Sequence, residues 1–70
     1  MESQFFTQAE SVIDGRHVWR HLASTPIGNI HIVQYEAKER NIITFLYEES
    51  LDAAERKYTQ LVTSVASGKI

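Results

Sequence analysis

The chain has 70 residues, no cysteine and a formal net charge of −2 with its histidines neutral. A chain of this length forms one small domain, over residues 1–70, and such a domain gains stability from a metal, a partner or self-association. Without cysteine, disulfides, thiolate zinc sites and a cysteine nucleophile are excluded. Charges of both signs are scattered along the chain, so it lacks the concentrated basic footprint that is typical of duplex-binding proteins.

Targeting and membrane signals are also absent from the sequence. No basic segment precedes an apolar run at the N-terminus, and no apolar run approaches the roughly 20 residues that a membrane-spanning helix needs. We therefore expect a cytoplasmic protein that does not bind a membrane.

The segment from residue 3 to residue 13 is compatible with two structures. As a helix, it would collect Phe5, Ala9, Val12 and Ile13 on one face. As a strand, it would alternate through Phe5, Thr7, Ala9, Ser11 and Ile13 and pair with the next segment through a tight turn. The strand is the favoured prediction.

Three further strands are predicted downstream, with turn signals between them. Asp14-Gly15 is typical of a two-residue hairpin turn, because both positions tolerate a positive φ. It precedes a strand over residues 16–23, which ends at a turn around Pro26. Two apolar strands follow over residues 29–35 and 41–47, joined by a polar link over residues 37–40.

A helix is predicted from residue 51 to residue 67. Ser50 is a good N-cap residue, and Gly68 is a typical stop. One helical face would contain Leu51, Ala54, Tyr58, Leu61, Val62 and Val65. The sequence therefore predicts an α+β fold, a small antiparallel β-meander of three to four strands followed by one C-terminal amphipathic helix. The favoured order is ββββα and the alternative is αβββα.

Strand pairing predicts what each sheet face contains. If Tyr35 lies opposite both Ile43 and Trp19, the face under the helix collects Trp19, Val33, Tyr35, Ile43, Phe45 and Tyr47, flanked by His17, His21 and His31. The opposite face would be aliphatic, with Val18, Leu22, Ile30, Ile32, Ile42 and Leu46 around Arg20, Gln34 and Thr44.

One helix covers only one side of a sheet, so the second apolar face needs another explanation. It could be covered by the N-terminal segment, by a second copy of the chain or by a different partner, or it could be solvated. A second copy is favoured, because two-fold dimers are the commonest assembly. The predicted dimer or partner interface consists of Val18, Arg20, Leu22, Ile32, Gln34, Ile42, Thr44 and Leu46.

No cluster of residues indicates catalysis. The spacing of His17, His21 and His31 is unspecific for zinc, and the acidic pair Glu48-Glu49 is explained by the helix dipole that follows it. No phosphate-binding glycine loop is present. We expect no catalytic residues, no cofactor and no metal site.

The sequence predicts a small non-enzymatic protein-interaction module. We expect a homodimeric regulator, adaptor or inhibitor that binds a larger protein partner. The alternative is a single-stranded nucleic-acid-binding protein, in which aromatic side chains stack on bases and arginines hold phosphates. Its binding residues would be Arg16, Trp19, Arg20 and Tyr35.

Overall fold

The computed structural model describes residues 4–70, which form one four-stranded antiparallel sheet and one helix. The strands follow one another across the sheet in chain order, so the sheet is a simple meander with β1 and β4 at its edges. The elements are β1 (Gln4–Ile13), β2 (Arg16–Thr25), β3 (Gly28–Ala37), β4 (Ile42–Glu48) and α1 (Leu51–Ala66). The predicted α+β fold is confirmed, in its ββββα form.

The first hairpin forms at the predicted turn. Asp14 and Gly15 have φ values of 50° and 77°, and Ile13 lies opposite Arg16. The N-terminal segment is therefore a strand and the helical alternative is wrong, although residue 3 lies outside the described residues. The pairing shifts between Thr7 and Ala9, which marks a β-bulge. This bulge breaks the simple alternation that the sequence predicted for the strand.

The second hairpin has a different register from the predicted one. Thr25 pairs with Gly28, so the loop is the two-residue segment 26–27. Turn length fixes register, and this loop places Val18, rather than Trp19, opposite Tyr35. The predicted pairing was wrong by one residue.

The connection between β3 and β4 shifts the next register in the same way. A single 3-10 turn, Lys38–Arg40, is closed by Asn41, which has a φ of 55° and donates its backbone N–H to the carbonyl of Lys38. Asn41 thus belongs to the turn and not to the strand. Tyr35 consequently lies opposite Thr44 and not opposite Ile43.

The helix begins and ends as the sequence predicts. Ser50 accepts the backbone N–H of Ala53 at 3.1 Å, which is an N-cap bond. At the other end, Gly68 has a φ of 74° and donates its backbone N–H to Val65, while Lys69 donates to Ser64. This pair of bonds is the Schellman arrangement that terminates a helix.

The core lies between α1 and the face of the sheet that α1 covers, which we call the helix face. Among residues 4–70, Val18 and Val33 are the only large side chains that are fully buried. The buried cluster contains Val18, Val33, Tyr35, Ala37, Ala54 and Val65, with Ile13, Tyr58, Leu61 and Val62 packed against it. Leu51 was predicted to lie on the same apolar face of the helix, but it is exposed and lies outside this cluster.

A hydrogen bond between side chains also joins the helix to the edge of the sheet. The hydroxyl oxygens of Ser11 on β1 and Tyr58 on α1 lie 2.7 Å apart. This contact places Ser11 on the helix face and fixes which side of β1 meets the helix. Within residues 4–70, no helix is long and apolar enough to cross a membrane.

Candidate protein-interaction surface

The side of the sheet away from α1 carries no covering element among the described residues, and we call it the open face. Side chains alternate along each strand, so the observed register assigns its members. They are Phe5, Thr7, Glu10 and Val12 on β1, His17, Trp19, His21 and Ala23 on β2, Ile30, Ile32, Gln34 and Glu36 on β3, and Ile43, Phe45 and Tyr47 on β4.

The edge strand β4 contributes three exposed apolar side chains to the open face. Ile43, Phe45 and Tyr47 are 58%, 47% and 66% exposed. At the other edge, on β1, Phe5 and Val12 are also exposed. Large apolar side chains therefore lie at both edges of the open face, with Trp19, Ile30 and Ile32 between them, and exposed apolar patches of this kind are uncommon on monomeric proteins.

A row of stacked rings runs along β2 on the same face. The ring centroids of His17 and Trp19 are 5.0 Å apart, and those of Trp19 and His21 are 6.1 Å apart, both in stacked arrangements. Phe5 continues the row, with its centroid 4.6 Å from that of His21. The rings hold one another in place, so the centre of the open face is an ordered aromatic platform.

Both ring nitrogens of His21, in the centre of this platform, already have hydrogen-bond partners. His21 is only 4% exposed, and its Nε2 donates to Oε1 of Gln34 at 2.9 Å. Its Nδ1 lies 3.0 Å from the hydroxyl of Thr7. His17 and Glu10 form a further pair, with Nδ1 and Oε2 3.2 Å apart. A surface that covers these groups therefore need not supply new hydrogen bonds to them.

The open face carries carboxylates but no lysine or arginine among its described residues. Glu10 and Glu36 both lie at the end of the sheet that contains His17. The opposite end of the face is formed by Phe5, Ala23 and Ile30. The charged groups of the open face therefore lie toward one end of the sheet, beside Val12 and Ile43, and the other end is apolar.

The predicted interface residues are divided between the two faces, because the register differs by one residue. Ile32 and Gln34 lie on the open face. The other six, on the helix face, are Val18, Arg20, Leu22, Ile42, Thr44 and Leu46. Conversely, Trp19, Ile43, Phe45 and Tyr47, which were predicted to lie under the helix, are on the open face.

The residues of the nucleic-acid alternative are also divided. Trp19 lies on the open face, whereas Arg16, Arg20 and Tyr35 lie on the helix face. Arg16 is paired with Glu39 at 3.1 Å and also donates to the carbonyl of Ile70. Arg20 donates to Oε1 of Gln8 at 3.0 Å. In the part of the chain that the structure describes, no arginine therefore accompanies the aromatic platform.

The Arg16 contact also affects the acidity of its partner. The pKa of the Glu39 carboxyl is lower than its ordinary value. The largest cause is a hydrogen bond from the backbone of Glu39 itself, and the second is the hydrogen bond from Arg16. Glu39 therefore stays ionised and keeps Arg16 engaged at the turn between β3 and β4.

The three histidines do not converge. His17 and His21 lie on the open face, while His31 lies on the helix face, opposite Leu22 and Glu48. Over residues 4–70, no group of three or more histidine, cysteine, aspartate or glutamate side chains is arranged to hold a metal ion.

A small cavity lies between β4 and α1, on the helix face. Its volume is about 280 Å³, and its lining residues are Val33, Tyr35, Ile42, Thr44, Leu46, Leu61 and Ile70. This is at the small end of the roughly 300–1,000 Å³ that small-molecule sites occupy. Three predicted interface residues, Ile42, Thr44 and Leu46, line this cavity rather than a broad sheet surface.

The contributions of Phe5 and Val12 to the open face were missed by sequence reasoning. The signal that could have revealed Val12 is the pair of positive-φ residues at Asp14-Gly15, since that turn sets the pairing of β1 with β2. Phe5 joins the same face only because of the bulge near Gln8, which has no comparable local signal.

No protein-family model, curated protein or solved structure matches the chain.

Proposed function

We propose that this protein is a non-enzymatic protein-interaction module, a small regulator, adaptor or inhibitor that acts on a larger protein through association at its open face. The observation that carries the proposal is the exposure of Ile43, Phe45 and Tyr47 beside an ordered aromatic platform. Aromatic side chains that are fixed before binding lose little conformational entropy when a partner covers them.

The chemistry of the open face favours a protein surface as the ligand. Both ring nitrogens of the buried His21 are hydrogen-bonded within the chain, so an apolar partner surface does not leave this side chain unsatisfied. Its charged groups, Glu10 and Glu36, repel phosphate. These two properties are the reason for preferring protein association to nucleic-acid binding.

The proposal is tested by comparing three immobilised forms of the chain as baits for cellular proteins. Phe45→Glu places a charge on the open face, and Phe6→Glu is its matched control on the helix face, since Phe45 and Phe6 are 47% and 49% exposed. We expect the wild type and Phe6→Glu to retain one partner that Phe45→Glu loses. The purified partner should then bind Phe45→Glu at least about tenfold more weakly, as expected for an anchor aromatic.

Equal affinity of that partner for the wild type and for Phe45→Glu would contradict the proposal. Phe45→Glu should lose the partner in either of two cases: the partner contacts the open face directly, or it binds only to a chain that has already associated through the open face. Recovery of no partner by any form would also count against an adaptor role.

The nucleic-acid alternative makes a different prediction, which uses the single tryptophan, Trp19. Because no lysine or arginine of the described chain lies on the open face, titration with a single-stranded oligonucleotide at low salt should leave Trp19 fluorescence unchanged. Quenching that weakens steeply as salt is added would instead support the nucleic-acid function.

A further inference from the structure

We propose that the open face is covered by a second copy of the chain, stacked face to face about a two-fold axis that runs along the strand direction between β2 and β3. This inference rests on the proposed function and deepens it by naming the first occupant of the face. The two helices would lie on the outside of the assembly, and the two sheets would enclose a second apolar core.

The size of the open face meets what a stable dimer needs. Strands lie about 4.8 Å apart and rise about 3.3 Å per residue, so four strands cover roughly 450 Å² where they overlap. Two stacked faces bury roughly 900 Å² of flat area, and more when the relief of the side chains is included. This reaches the range of about 1,000 Å² above which specific interfaces are found.

The small core of the single chain provides a second argument for this occupant. Of the residues that the structure describes, only Val18 and Val33 are large and fully buried, whereas Ile43, Phe45 and Tyr47 are exposed. Stacked sheets pack about 10 Å apart, which lets such side chains interdigitate. A face-to-face dimer therefore adds the apolar burial that a 70-residue chain cannot achieve within itself.

The distribution of charge selects the axis. A two-fold axis along the strands stacks β2 on β3 of the partner subunit, and β1 on its β4. Each residue of β2 or β3 then faces the copy of its own register partner, and each residue of β1 faces the β4 residue of the same row across the sheet. His17 pairs with Glu36 in the sheet, so His17 faces Glu36 of the partner subunit. Ala23 pairs with Ile30, so a small side chain faces a large one.

A two-fold axis across the strands gives a poorer match. It would stack the end that carries His17 and Glu36 on the apolar end that carries Ala23 and Ile30, and would bury a carboxylate against aliphatic side chains. Glu10 is hydrogen-bonded to His17 and lies on the edge strand β1. The favoured axis places it over Phe45 of the partner subunit, at the edge of both sheets, where water reaches it.

Sedimentation velocity over a concentration series tests whether the second copy is the occupant. We expect the wild type and Phe6→Glu to sediment as dimers. Phe45→Glu should dissociate at roughly a hundredfold higher concentration or more, because each dimer carries the change twice and each anchor aromatic is worth about tenfold. A wild-type monomer throughout the series would overturn the inference.

Cysteine cross-linking tests the axis, since the chain contains no natural cysteine. Val12 on β1 and Ile43 on β4 lie in one row across the sheet, through His17 and Glu36. With the proposed axis, Val12 faces Ile43 of the partner subunit across the spacing between stacked sheets, about 10 Å. The two copies of Val12 are in addition offset sideways by three strand spacings, about 14 Å.

We expect a short bismaleimide to link Val12→Cys to Ile43→Cys after the two proteins are mixed and subunits exchange, and to link neither protein to itself. Linking of Val12→Cys to Phe5→Cys instead would establish the axis across the strands and overturn the proposed one. If the wild type is a monomer and the Phe45→Glu variant still loses the captured partner, the proposed dimer is overturned and the proposed interaction function stands. A dimer that captures no partner would support the proposed dimer and contradict the proposed interaction with a larger protein.

Discussion

Val18→Asp is expected to unfold the domain, whereas the same change at Val12 leaves it folded. Val18 is fully buried on the helix face, next to Val33 and the helix residue Ala54. A carboxylate there has no partner in an apolar cluster, and we expect a loss of more than about 4 kcal/mol in the free energy of unfolding. That is comparable with the total stability of a domain of this size, at roughly 0.05–0.15 kcal/mol per residue.

Val12 is the matched control, because it is the same residue type in a neighbouring strand but 57% exposed on the open face. Val12→Asp should lower the free energy of unfolding by about 1 kcal/mol or less, chiefly through weaker β-propensity. Urea unfolding followed by far-ultraviolet circular dichroism, in dilute protein where association contributes little, measures both variants. Equal destabilisation of the two would mean that the assignment of the faces is incorrect.

Ala54→Leu is expected to have the second largest effect. Ala54 is fully buried where α1 approaches β2 and β3, and its methyl group sets how closely the helix packs. Three additional carbons have no space there, so the helix must lift or neighbouring side chains must leave their rotamers. Overpacking of this kind costs about 1–3 kcal/mol.

The control for this change is Ala66→Leu, at the last residue of α1, where the side chain is exposed. Alanine and leucine have similar helix propensities, so this variant should stay within about 0.5 kcal/mol of the wild type. Thermal or urea unfolding distinguishes the two variants. If Ala54→Leu were as stable as Ala66→Leu, the core between helix and sheet would be looser than the structure indicates.

The elements themselves could be predicted from sequence because their signals are local. Asp14-Gly15 determines a hairpin by the backbone conformations that these two residues tolerate, and the structure gives both a positive φ. Ser50 and Gly68 delimit the helix through hydrogen bonds with residues no more than a few positions away. The spacing of apolar residues, with a period of two in the strands and of about 3.6 in the helix, distinguished the strands from the helix.

The candidate site could be predicted only in part, because a sheet face depends on register. The sequence indicated that one helix leaves a second apolar face uncovered, but it assigned Trp19, Phe45 and Tyr47 to the wrong side. Each error came from a strand pairing that was predicted one residue out of register across a turn. Since side chains alternate along a strand, such a shift exchanges the two faces.

The sequence by itself determined the α+β class, the order of the elements and the ends of the helix, since these depend on contacts between residues close together in the chain. Only the tertiary structure decided which apolar side chains form the core and which form the open face. Asn41 closes its turn in a left-handed conformation, and the bulge near Gln8 redirects β1. Each feature changes which residues of two strands lie opposite one another, and that pairing is a property of the assembled sheet and not of either segment alone.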